Sequence, residues 1–161
     1  MKILSMKTTI FLGAMLSLLV CLMFTGCSNS ETNSTSRGLT DFAHIEEEYL
    51  ATIDSLDWPD GVELPKKLEN EDTGASFQVG FGETRASNLW EYSWMKEWLD
   101  TYNTDPDRAE KALEELEKAF DMPYMGKDRC DDATRNYLRE NIDKAKLGDP
   151  SGFRECIDVN Y

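Results

Sequence analysis

The stretch NLWEYSWMKEW, residues 88–98, limits the architectures open to this chain more than any other. Trp90, Trp94 and Trp98 recur every fourth residue, a spacing that on a helix turns each indole only about 40° from the last. Met95, Leu99 and Tyr102 widen the apolar sector well past the roughly 100° that one-sided burial requires, so a helix over residues 84–102 has to be surrounded by neighbours. Core packing is the simpler role for the three indoles. An aromatic platform for a sugar or peptide is the functional alternative, because Trp stacks well and keeps a polar N–H at its edge.

The flanking sequence supplies the neighbours. Thr40 is placed to cap a helix whose Phe42, Ile45, Tyr49, Ile53 and Leu56 share one face, and DWPDGVELP ends it. His44, the lone histidine, falls opposite that stripe and faces water. Pro59, Gly61 and Pro65 break regular structure, KKLENEDTGAS reads as a polar loop, and SFQVGFGE reads as a short extended or irregular segment. Its glycines match neither G-x-G-x-x-G nor a P-loop, and fit close passage of backbone over the next helix better than a phosphate cradle.

Asp105-Pro106 opens a further helix carrying Ala109, Ala112, Leu113, Leu116, Ala119 and Phe120 on one stripe, with Glu110, Glu114, Glu115 and Glu117 as a solvated face and Met122-Pro123 as its stop. Asn103, Asp105, Asp107, Ala109, Lys111 and Glu114 fall at the ligand positions of an EF-hand loop. Arg108, however, stands where that loop needs Gly, and the apolar periodicity makes the stretch helical. Asp128, Asp131 and Asp132 supply acidic charge to the start of a last long helix over residues 131–147, with Tyr137, Leu138, Ile142 and Ala145 inward and Gly148 ending it. A short helical turn from Asp149-Pro150 carries Phe153, Cys156 and Ile157. The predicted fold is mainly α: four or five helices around the Trp-rich one, with an irregular segment over residues 58–82.

Ahead of this domain, Lys2 and Lys7 precede an apolar core from Ile10 to Phe24 that stops at Thr25-Gly26-Cys27. The core is shorter than the roughly 20 residues of a spanning helix and lacks a basic stop-transfer cluster, which is the pattern of a secretory signal peptide over residues 1–26. A short membrane anchor is the alternative. Residues 28–38, SNSETNSTSRG, hold nothing apolar to bury and read as a tether of about 18 Å as a coil and at most roughly 36 Å extended.

Phe24-Thr25-Gly26-Cys27 resembles the lipobox of bacterial lipoprotein precursors. That resemblance implies that Cys27 becomes the mature N-terminus and carries a covalent diacylglycerol, with no other cofactor. It also implies export and a lipid anchor on the outer face of the bacterial cell membrane. Two acyl chains anchor stably where one binds marginally. A cleaved but unlipidated secreted protein is the competing account. The mature region is similar to small lipoproteins of Gram-positive bacteria, actinobacteria especially, through WPDGVELP and QVGFGETRASNLWEYSW, a resemblance that implies no particular activity.

The organisation expected is therefore a signal over residues 1–26, a lipidated cysteine and tether over 27–38, and one helical domain over 39–161. Two of the 17 Lys and Arg precede residue 27 and none of the 31 Asp and Glu does, leaving 15 basic against 31 acidic side chains. Such a chain is repelled by nucleic acid. Its four Trp and six Tyr argue for folding rather than disorder. With Cys21 in the signal and Cys27 acylated, Cys130 and Cys156 remain, and in an oxidising exterior two leftover cysteines most simply pair. A zinc site lacks its other ligands, and two free buried thiols are the third account.

No nucleophile with its base, metal quartet or phosphate loop is apparent, so no catalytic residue is assigned. A surface-tethered binding module, for an envelope protein or small ligand, is the first functional expectation. A small hydrolase using paired carboxylates is the second.

Overall fold

The structure, a computed structural model, describes residues 38–161. Five α-helices make up the domain: α1 Phe42–Ser55, α2 Phe81–Thr101, α3 Pro106–Glu117, α4 Asp132–Lys146 and α5 Ser151–Asn160. Two short 3-10 turns, Lys118–Asp121 and Pro123–Met125, join α3 to α4. Residues Leu39–Thr40 (β1) pair antiparallel with Phe77–Gln78 (β2), Leu39 opposite Gln78 and Thr40 opposite Phe77. Of the four or five helices expected from the sequence in a mainly α domain, five are observed. No helix among the described residues is long and apolar enough to cross a membrane.

The central helix is α2, which packs against α1, α3 and α5. Trp90, Trp94 and Trp98 are 1 %, 1 % and 2 % exposed and share the larger core with Leu116 of α3, Leu138 and Ile142 of α4, and Phe153 of α5. Trp98 stacks on Tyr102 at 4.7 Å between ring centroids and meets Phe153 edge-on at 5.3 Å. A second, smaller core joins Ile45, Tyr49 and Ile53 of α1 to Leu68, Phe77 and Ala86. Polar residues buried on α2 bond to their own helix: the hydroxyls of Ser87, Ser93 and Thr101 donate to the carbonyls of Glu83, Leu89 and Glu97. A helix enclosed on several sides keeps its polar positions satisfied this way.

The irregular segment is fastened by side chains. Asp57 presents its carbonyl oxygen to both Trp90 Nε1, at 2.8 Å, and Trp94 Nε1, at 3.2 Å. Trp58 Nε1 donates to the carbonyl of Ile53, and the Leu68 amide donates to Glu46. These bonds set the loop against the helices without regular structure of its own.

Three expectations are corrected. Cys130 and Cys156 are free thiols, so the predicted disulfide is absent. Cys130 Sγ lies 3.5 Å from Met125 Sδ, whereas Cys156 Sγ lies 3.6 Å from Asn160 Nδ2. Counting leftover cysteines says nothing about the close Cβ approach a bridge needs. The C-terminal helix is held instead by buried Phe153 and by Tyr161, whose hydroxyl donates to the carbonyl of Asn88. Second, α2 begins at Phe81, three residues before the predicted start, and α1 is capped by Asp41 rather than Thr40, which pairs with Phe77. Third, Glu115 is buried beside Lys118 rather than on the solvated face, and Tyr137 is turned outward.

Candidate functional site

Because α2 is buried almost all round, a carboxylate on it has to be accommodated inside the protein. Glu91 directly follows Trp90 and is 8 % exposed. Met122-Pro123 ends the α3 stretch, and the 3-10 turn at Pro123–Met125 sets the Tyr124 ring in the interior, where its hydroxyl donates to Glu91 Oε1. The second oxygen, Oε2, has no hydrogen-bond partner among the described residues. Asn141 Nδ2 is the buried, unpartnered side-chain atom found among them, so Oε2 must reach open space.

Burial lifts the Glu91 carboxyl to about 7, and the Tyr124 hydrogen bond only partly offsets that rise. No cationic side chain contributes to the shift. Glu91 is therefore a buried acid without a counter-ion.

The open space is a cleft of about 1000 Å³ between α2, the Tyr124 turn, the start of α4, and α5. Two arginines line it, but both are paired: Arg129 with Glu83, and Arg85 with Glu71 at 3.2 Å. Asp131 also lines it, and its side chain caps α4 by accepting from the Thr134 amide, which holds its carboxyl below the usual range. Cys130 and Cys156 both face this cleft. Burial pushes both thiols above their ordinary value, so they are neutral groups there rather than nucleophilic thiolates.

At the mouth stand Tyr137, Val159 and Tyr161, which are 38 %, 75 % and 53 % exposed. They belong to the few large hydrophobic side chains exposed among the described residues, and they converge on one opening. The Tyr161 ring is braced 5.0 Å from that of Tyr92. A smaller pocket of about 570 Å³, lined by Lys66, Lys67 and Leu68, adjoins the cleft through Arg85, Asn88 and Tyr161. It contains no buried, uncompensated charge comparable to Glu91.

The residues singled out from sequence are distributed differently. Trp90, Trp94 and Trp98 lie in the core and show no ring face to solvent. Cys27 lies outside the described residues. His44 is exposed, its Nε2 3.3 Å from Glu48 Oε1. Asp105 accepts from the Arg108 amide as the cap of α3, and the stretch resembling a calcium loop is helix from Pro106 onward. Among the described residues, no group of three or more His, Cys, Asp and Glu side chains is placed to hold a metal ion.

The glycines of SFQVGFGE are used for backbone approach. The amides of Gly80 and Gly82 donate to Glu48 Oε1 and Oε2 at 2.7 and 3.1 Å. A carboxylate of the chain itself thus occupies the N-terminus of α2, where an anion would otherwise bind.

Glu91 and Tyr124 were not evident from the sequence. A signal was nevertheless present, since an acid between Trp90 and Trp94 on a helix apolar nearly all round has little access to water. No family model, curated protein or solved structure matches the chain.

Proposed function

We propose that this chain is a cell-envelope lipoprotein, held on the outer face of the membrane by a diacylglycerol on Cys27, whose domain is a binding module for a small ligand in the Glu91 cleft. The lipobox-like Phe24-Thr25-Gly26-Cys27 and the polar run after it support the address. Supporting the activity is one observation: an unpartnered oxygen of a buried carboxylate opens onto a cleft whose mouth gathers three exposed apolar side chains. Convergent apolar surface with a few placed polar groups is what a small-molecule site requires.

A thermal-shift screen of a small-molecule library against the full chain tests the activity. Ligands should raise Tm for the wild type but not for Ala133→Trp, which fills the cleft from α4. A library with no effect, or shifts that survive the filling substitution, would contradict it. Metabolic labelling with a fatty acid, with Cys27→Ala as the control, tests the address.

A hydrolase is the second reading. Glu155 of α5 lines the same cleft, and a carboxyl raised to about 7 has the character of a general acid.

A further inference from the structure

The chemistry of the cleft narrows its ligand, on the reading that the cleft is a binding site. Glu91 is the buried acid in it that no cationic side chain pairs, and Glu155, exposed on α5, adds a second carboxylate to the lining. Arg85 and Arg129 already bind carboxylates, and Asp131 is occupied by the Thr134 amide. The thiols of Cys130 and Cys156 are neutral. An anionic ligand would bring like charge to a desolvated carboxylate, which is strongly unfavourable. A neutral apolar ligand would leave Oε2 buried without a partner, at the full desolvation cost of that oxygen.

A cation with N–H donors removes both problems. It also meets favourable long-range attraction, because acidic side chains outnumber basic ones by 31 to 17 in the chain. The Tyr124 hydroxyl occupies Oε1 and leaves Oε2 as the acceptor. Behind the charge, Met125 and Leu138 line the cleft, and Tyr137, Val159 and Tyr161 stand at its mouth. Tyrosine rings favour both a hydrocarbon body and a nearby cation.

We propose that the cleft binds a small organic amine, with its ammonium donating to Glu91 Oε2 and its hydrocarbon or aromatic body lying against Tyr137, Val159 and Tyr161.

Three probes of nearly equal shape test this by titration calorimetry on the full chain: phenethylamine, phenethyl alcohol and 3-phenylpropionate. The amine should bind at least tenfold more tightly than the alcohol, and the acid should bind weakest. Glu91→Gln should remove the amine's advantage, and Tyr124→Phe should reduce it. Equal binding of the three probes, or an advantage that survives Glu91→Gln, would overturn the amine assignment while leaving a ligand-binding cleft. Failure of all three to bind the wild type would overturn it too, and the library screen with Ala133→Trp then judges the cleft independently. The probe ranking is read on the unaltered protein, so the test does not depend on the variants folding.

Discussion

Two glutamates, one half-buried and one buried, show how the same side chain serves opposite ends in different parts of this molecule. Glu48 of α1 has both oxygens occupied, by the amides of Gly80 and Gly82, and so joins α1 to the start of α2. Glu91 of the same central helix has one oxygen held by Tyr124 and the other open to a cleft. At Glu48 both oxygens accept from backbone amides, and Gly82 lies directly against the Ile45 carbonyl. Beside Glu91 there is a cleft, and three exposed apolar side chains line it. A carboxylate with both oxygens satisfied is architecture, whereas a buried, half-satisfied one beside open space is a place for another molecule.

The closed region should break most severely. A Cβ on Gly82 would lie 1.9 Å from the carbonyl oxygen of Ile45, a backbone atom that cannot swing aside. Gly82→Ala should therefore part α1 from α2 and cost about 4 kcal/mol in chemical denaturation. Glu48→Ala leaves the two glycine amides without their carboxylate and should cost about 3 kcal/mol by the same measurement.

The open region should respond to pH instead. The folded state holds the Glu91 proton up to about 7, whereas an unperturbed glutamate loses it near 4.5. The stability Glu91 contributes is thus fully present below about 4.5 and is lost as pH rises through about 7. Denaturation of the wild type should lose on the order of 3 kcal/mol relative to Glu91→Gln over that window, with the difference flat above it. Smallest of all should be the effect of a reducing agent. With both thiols free, Tm should not change, and alkylation of the denatured chain without reductant should label Cys130 and Cys156.

The contrast also explains what could be read from the sequence. The Trp90, Trp94 and Trp98 spacing required an enclosed helix, and Asp105-Pro106, Asp131 and Gly148 marked helix ends, because these are local properties of consecutive residues. α2 starts three residues before its local sequence suggests because the carboxylate that holds its first amides comes from Glu48, more than thirty residues earlier in the chain. Asp41 displaced Thr40 as the cap of α1 because Thr40 pairs with distant Phe77. The cysteines could be counted, but neither their separation nor their surroundings follow from a count.

Glu91 was hidden for a related reason. Its burial follows from the enclosure of α2, which the sequence implied. Its open oxygen depends on where Tyr124, α4 and α5 come to rest, and that is a tertiary outcome.

The most direct test of the difference between the two glutamates is a carboxyl-carbon NMR titration of the full chain with Glu91 assigned by the Glu91→Gln variant. The carboxyl should titrate near 7, as expected of a desolvated acid with one hydrogen bond and no counter-ion. A midpoint near 4.5 would mean that Glu91 is well solvated or already paired, and the cleft would lose the feature that marks it as a site.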